Sequence, residues 1–503
     1  MRLLLLGLLL TLRGEPARCR GGEEEGEDAV TLDGNIRHFA VANNSVYVAT
    51  EERLHQLSRS LAQVRSLTQR GTVEGGQDPG DGRFQRVSGS DKWNATFSVN
   101  TLLPFEENGT LISCGVTECG YCELLDLANI SKVLYKENIQ VGSLRRRSAS
   151  VGFLVQVQDS PSRTETYILT AIQQDKDKTT EEDKCFFDVR VARLHDTNNE
   201  HMGGIFSDVD GSAHSGIQPE GDVEFVDGFQ ISSTIYLFSN LPATSKVRLL
   251  WLESKGSKTR TFTSMRGASL HLSSGDGAVG AGRSRLLASS VIPGGPPVLW
   301  TGVFSVDGDR TNTVLVVFDV SPDRTPGTYE DPDFCSSNCN SNRVKGQPQA
   351  LRPAAVLFRQ SFMTSVLAVR QKAWMVFFIG TGDGQLIKLA VDKAYRTVCP
   401  RVLYRADNDR QVSPRMHLDQ VDRKHFYVAL GNQMKRVPVS RCRTHTGLQA
   451  CWSAQDPFCG WCGSASSCTF EDECPDSLWL SIPDDASQEK MVSYRVERTS
   501  GGQ

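Results

Sequence analysis

The sequence predicts an all-β protein: a seven-bladed β-propeller followed by a small disulfide-rich module. Three observations carry that expectation. Short apolar strands recur in seven hairpin-like pairs over roughly 400 residues. Few segments in that region hold a 3.6-residue period for three turns, and Gly or Pro interrupts most candidates. Six of the 14 cysteines crowd between Cys442 and Cys474. The composition is compatible: 503 residues, 39% hydrophobic and 23% charged, describe a globular chain rather than a disordered one. A net charge of −4 lacks the basic excess expected of a nucleic-acid-binding protein.

Taken in order, the chain opens with Arg2 and an apolar run from Leu3 to Leu12, ended by Arg13, Glu15 and Pro16. This is too short to span a bilayer and has the build of a secretory signal peptide over residues 1–20. An acidic leader, GGEEEGED at 21–28, reads as a solvated arm. Four N-x-S/T sequons follow, at Asn43, Asn94, Asn108 and Asn129. With a signal peptide they predict a glycosylated, secreted protein. No later run of 18 apolar residues predicts a membrane anchor.

The hairpin-like units begin near residues 46, 111, 167, 234, 299, 375 and 426, spaced by about 51 to 76 residues. That exceeds the 40 to 50 or so of simple propeller repeats, so the blades must carry insertions. The polar stretches 176–184, 195–222 and 320–350 are the candidates. The propeller is expected over 21–440 and the cysteine-rich module over 441–480, with a polar tail at 481–503. A module this short cannot bury enough apolar surface alone, so cross-links must substitute for core.

Candidate chemistry is sparse. Cys459 and Cys462 form a C-x-x-C, open to redox, zinc or structural use. Without a βαβ context or a second ligand pair, and in an oxidising compartment, structural disulfides are favoured. GTGDGQL at 380–386 has the glycines of a phosphate loop. It lies between two apolar strands with Asp383-Gly384 at its centre, which predicts a tight hairpin. DVDG at 208–211 resembles the start of a calcium loop without its bidentate Glu and reads as an exposed loop. Arg145, Arg146 and Arg147 could contact an acidic ligand or glycan, be cut by a processing protease, or simply be solvated. No catalytic constellation, metal site or cofactor motif emerges, so the expectation is a non-enzyme without cofactor.

A propeller followed at once by DPFCGWC resembles the sema-domain family with its PSI module, a family of semaphorins, plexins and scatter-factor receptors. Within it the chain is most similar to the plexins, in particular the C class. The likeness is carried by GYCELLDLANIS (120–131), FVDGFQISSTIYLF (225–238), RSRLLASSVIP with LWTGVFSVDG (283–308), FFIGTGDGQLIKL (377–389) and VCPRVLYRA (398–406). The cysteine-anchored stretch typical of semaphorins is missing, which argues against the ligand side of the family.

The resemblance implies a seven-bladed propeller, non-catalytic recognition of a semaphorin through it, and roles in cell guidance, adhesion and migration. It implies a cell-surface receptor whose transmembrane and cytoplasmic parts lie outside this sequence. The competing readings are a secreted semaphorin-like ligand or soluble decoy, and a propeller enzyme. A second copy of the chain is a further candidate partner. In the family the ligand meets the propeller edge near the third and fourth blades, which points to about 175–260 without naming contact residues.

The resemblance also implies disulfides. Of the family's eight module cysteines, the second position falls on Leu448 and the eighth near Glu489, so one pair is lost together. The others would pair as Cys442–Cys459, Cys451–Cys468 and Cys462–Cys474, and Cys114 with Cys122 matches an early bridge of the family in spacing. If Cys19 leaves with the signal peptide, 13 cysteines remain, an odd number. Pairings of Cys119, Cys185, Cys335, Cys339 and Cys399 stay open.

Overall fold

A computed structural model describes residues 28–495 apart from 69, 75–83, 87–91, 97–98, 116–120, 138–149, 161–162, 173–188, 195–205, 208–216, 220–222, 257–260, 262–264, 273–283, 325–333, 337–348, 399, 407–409, 476 and 489. The expected signal peptide, almost all of the acidic leader, the Arg145–Arg147 triplet, the 176–184 insertion and DVDG lie outside the described residues.

Among those residues, seven sheets follow one another around a central axis, each built on four antiparallel strands. The first blade runs His38–Val41, Ser45–Ala49, Arg53–Ser58 and Gln63–Thr68 from inside to outside. The second runs Val99–Phe105, Thr110–Gly115, Tyr121–Asp126 and Val133–Glu137. The last is built from Val412–Leu418, His425–Leu430 and Gln433–Pro438, and takes its outermost strand, Asp28–Thr31, from the start of the chain. Asp28, the last residue of the acidic leader, thus opens the strand that closes the ring.

Each of the seven hairpin-like units lies in a different sheet, and its apolar strand is the second one from the axis. Neighbouring blades press on both faces of that strand, so it reads as a continuous apolar run. Leu299–Val306 and Trp374–Thr381 are buried almost end to end. Between the second strand of the fourth blade, Thr234–Leu241, and that of the fifth, Leu299–Val306, Phe238 stacks on Trp300 with ring centroids 4.1 Å apart. Asp383-Gly384 makes the predicted tight hairpin between Trp374–Thr381 and Gln385–Val391, with Gly384 at φ +81°, where a side chain would be strained.

The 320–350 insertion is more than a loop. It leaves the third strand of the fifth blade and pairs Phe334–Ser336 with Ile217–Pro219 on the outside of the third blade. It then pairs Gln349–Leu351 in parallel with Arg266–Leu270 on the fourth, and returns to the fifth as Ala355–Ser361. Two blades that would end in open edges are thereby covered.

After Pro438 the chain forms a short helix, Leu448–Ser453, and a separate four-stranded sheet. In that sheet Leu478–Ser481 pairs with Val492–Arg495. The expected module bound of 480 falls within this sheet, and its last strand, Val492–Arg495, lies in the expected polar tail, where Tyr494 packs on Trp479.

Candidate functional site

Three places bear on function: the edges of the third and fourth blades, the cysteine module with its seat on the propeller, and the axial channel.

At the blade edges, the described part of 175–260 is strand. Val189–Leu194 belongs to the third blade, and Glu224–Ile231, Thr234–Leu241 and Lys246–Glu253 to the fourth. Arg285 of the fifth blade ties this region down, its Nε lying 2.9 Å from Oε2 of Glu224, which also accepts from Asn240 at 3.1 Å. The 320–350 segment adds its two edge strands to the same flank. Strand pairing uses main-chain groups, so polar composition concealed it.

In the module, sulfur–sulfur distances of 2.03, 2.03 and 2.08 Å join Cys442 to Cys459, Cys451 to Cys468 and Cys462 to Cys474. Leu448, where a fourth pair would begin, is 40% exposed, and Glu489 lies outside the described residues. In the second blade Cys114 and Cys122 sit opposite each other in register and are bonded at 2.02 Å. Cys119, Cys185, Cys339 and Cys399 lie outside the described residues, and of Cys335 only the strand position is described. Gly460, between Cys459 and Trp461, has no room for a side chain, because a Cβ there would stand 2.3 Å from the Trp479 ring. Gly460→Ala is expected to destabilise the module by about 1–3 kcal/mol through overpacking, read as earlier reduction of its disulfides in a thiol titration. Unchanged reduction would show that Trp479 yields.

The module is seated on the sixth blade, built from Met363–Gln371, Trp374–Thr381, Gln385–Val391 and Arg401–Arg405, and on the seventh. Lys388 lies in the apolar strand Gln385–Val391, and its Nζ reaches both oxygens of Asp456 at 2.7 and 2.6 Å and the carbonyl of Val439 at 2.7 Å. Asp456 is the acid of DPFCGWC, and it also accepts from Ser440 Oγ at 2.7 Å and the Phe458 backbone N–H at 3.0 Å. Burial alone would raise the Asp456 carboxyl, but the Lys388 charge and these donors hold it below the usual carboxylate range. Burial pulls the Lys388 ammonium down, against the attraction of Asp456. Around this pair, Trp374 Nε1 donates to Pro483 at 3.0 Å, Lys372 Nζ lies 3.1 Å from the Tyr494 ring centroid, and Lys424 reaches Asp472 and Glu473 at 2.8 and 3.0 Å. Phe458 and Ile482 belong to the same apolar cluster as Phe378 and Phe426, so core is continuous from blades to module.

In the channel, the innermost strands present His38, Asp227, Ser289 and His417. Ser289 Oγ donates to Asp227 at 2.5 Å. Burial raises the Asp227 carboxyl, opposed by that hydrogen bond and by Arg415. Burial, with Arg415 and Arg37, pushes His38 down to about 3, and burial with Arg415 pushes His417 to about 4. Among the described residues no group of three or more His, Cys, Asp or Glu side chains is placed to hold a metal ion.

Of the sequons, Asn43 is exposed in the turn between the first two strands of the first blade, and Asn108 and Asn129 are half-buried in turns of the second. Asn94 lies in Lys92–Thr96, the middle strand of a separate three-stranded sheet.

Comparison with known proteins agrees with this architecture. The plexin repeat, PSI, matches residues 441–490. The chain is 27% identical to human plexin-C1 over 520 residues, covering 98% of this chain and 32% of that protein. The chain is plexin-like. The plexin-like chain spans about a third of the length of the curated relatives it matches. Its fold is that of the plexin A4 full extracellular region, with a TM-score of 0.68 at 20% identity, covering 90% of this chain and 50% of that one. It also matches a chain from Drosophila plexin A in complex with semaphorin 1b, with a TM-score of 0.58 at 12% identity over 94% of this chain and 97% of that one. The seven blades are thus a sema-type propeller with a PSI module behind it. Among the described residues no helix is long and apolar enough to cross a membrane.

Proposed function

We propose that this plexin-like chain is the ligand-binding head of a semaphorin receptor, secreted through a cleaved signal peptide at 1–20 and acting outside the cell by recognition rather than catalysis. The observation that carries this reading is similarity to a plexin along 98% of the chain, through propeller and PSI module alike. The propeller, expected over 21–440, is the recognising body, and the module sets the direction in which the chain leaves it. The flank of the third and fourth blades, with the edge strands Phe334–Ser336 and Gln349–Leu351, is the surface offered to the semaphorin propeller. Such an interface buries a standard area of roughly 1,600 Å² with a few dominant anchors. In its channel Asp227 is held by Ser289 and the Gly228 backbone N–H, hydrogen bonds that fix the strand rather than leave an acid free to react.

The test is a binding screen of the secreted chain against a panel of semaphorins by surface plasmon resonance. Saturable binding to at least one member is expected. Binding to none would overturn the receptor reading.

A further inference from the structure

The strand topology places three of the four sequons on one side of the propeller. In a blade of four antiparallel strands, the turn between the first and second strands and the turn between the third and fourth emerge on the same side. The middle turn and the link to the next blade emerge on the other. Asn43 lies in a first turn, between His38–Val41 and Ser45–Ala49. Asn108 ends the single helical turn Glu106–Asn108 in the first turn of the second blade, and Asn129 lies in that blade's third turn, before Val133–Glu137.

The PSI module departs from the third strand of the seventh blade and so lies on this side too. Contacts trace the face from one to the other. Asp472 and Glu473 of the module bind Lys424, in the first turn of the seventh blade. In the same turn, Asp419 binds Arg59, in the third turn of the first blade, at 2.8 Å. Gln56, three residues before Arg59, donates to Ala128 at 3.1 Å, beside Asn129. Glu106 of the second blade accepts from the Asn43 backbone N–H at 2.7 Å and also from its Nδ2. Asn43 and Asn108 thus flank the seam between two blades.

We propose that Asn43, Asn108 and Asn129 together carry N-linked oligosaccharides, making the module side of the first two blades a carbohydrate face, and that the sugar on Asn129 covers the apolar outer edge of the second blade. That edge needs a cover. Val133 is 48% and Leu134 37% exposed on Val133–Glu137, the terminal strand of its sheet, and an uncovered apolar edge is a template for association. The Asn129 turn spends its backbone N–H on Asp126 and its Oδ1 on the Ser131 N–H, each at 3.2 Å, leaving Nδ2 for substitution. At Asn43 a substituted Nδ2 keeps one N–H for Glu106. In each transfer Nδ2 attacks the anomeric carbon of a lipid-pyrophosphate-linked oligosaccharide. A C–N bond forms, the lipid pyrophosphate leaves with the bonding electrons, and Nδ2 gives up one proton. Thr110, whose hydroxyl completes the Asn108 sequon, is only 2% exposed, so this transfer precedes closure of the blade.

The proposal rests on the extracellular reading above in one respect, since the chain must enter the secretory pathway. The full chain is secreted from mammalian cells, deglycosylated enzymatically in heavy-oxygen water and mapped by peptide mass spectrometry. Heavy aspartate is expected at positions 43, 108 and 129; an unlabelled majority at any one of them overturns the shared face. Ser131→Ala removes the Asn129 sugar while keeping the turn's backbone bonds. It is expected to raise the solution mass by light scattering at least twofold, and Leu134→Lys added to it is expected to reverse this. If that variant fails to fold, native trimming of the parent with an endoglycosidase reads the same effect. An unchanged mass after either treatment overturns the covering role. Semaphorin binding without these sugars would fail this inference alone, and the sugars without semaphorin binding would fail the receptor reading alone.

Discussion

Lys388→Met is expected to destabilise the chain by about 3–5 kcal/mol, the cost of leaving a buried carboxylate without its counter-charge. The Lys388 and Asp456 side chains are 4% and 6% exposed, so water cannot take over the role of either partner. Asp456→Asn should cost a comparable amount, stranding the ammonium against the Val439 carbonyl and the Phe458 ring. The double variant should recover a large part of the loss, because two neutral groups of similar size face one another. Ser440 and the Phe458 N–H can still donate to the asparagine oxygen. The measurement is a double-mutant cycle by chemical denaturation. A single-variant loss below about 1 kcal/mol would mean that the pair is hydrated and does not lock module to blade. Because Asp456 comes from DPFCGWC and Lys388 from the middle of a blade strand, the same cycle should expose the seat itself: Lys388→Met is expected to make the 440–447 connection cleavable by trypsin under native conditions.

How much of this was legible beforehand follows from which strands are squeezed on both faces. Second strands such as Leu299–Val306 have an apolar residue at nearly every position, and they announced the blades one by one. First strands line the channel and carry Arg415 and His417 within Val412–Leu418, while fourth strands such as Gln63–Thr68 face solvent. Both types mix polar with apolar residues, as in MTSVLAVRQ of Met363–Gln371, so the first and fourth strands went unread. The closing strand Asp28–Thr31 is four residues long and its partner lies 400 residues away, a distance no periodicity bridges. For the Lys388–Asp456 pair a signal did exist. A lysine inside QLIKLAV, where every alternate reading puts it in a core, calls for a buried partner. Only the fold could say that the partner was the aspartate of the cysteine module. The seven-bladed expectation and the plexin resemblance therefore agreed with the structure where burial is two-sided, whereas the edge strands of 320–350 had only main-chain pairing to reveal them.

Acid is expected to loosen the propeller between about pH 6.5 and 4, before its ion-paired carboxylates titrate. His38 and His417 are held down to about 3 and about 4, whereas in the unfolded chain each returns to the ordinary 6.5. Over that interval the unfolded state binds more protons than the folded one, so stability falls as pH falls. Each tenfold loss of proton affinity is about 1.4 kcal/mol. Both histidines keep some access to solvent, so the pair together should cost on the order of 4 kcal/mol by pH 4, short of the full sum. The cause is local: burial of both rings comes first, the charge of Arg415 acts on both and that of Arg37 on His38, His417 packs edge-on against Phe39, and Nε2 of His417 has no hydrogen-bond partner among the described residues. Asp227 runs the other way, because a carboxyl raised by burial takes up its proton in the folded state first and offsets part of the loss. Asp419, Asp392 and Asp456 are all held below the usual carboxylate range, so their contributions disappear only in stronger acid. Denaturant unfolding at a series of pH values should therefore show an uptake of two protons or more near pH 5.5, because burial also holds His55 and His445 below their ordinary value. His417→Leu, which keeps the contact with Phe39, should reduce this uptake by about one. A stability that stays level from pH 7 to 4.5 would mean that the channel opens to water and hydrates both rings.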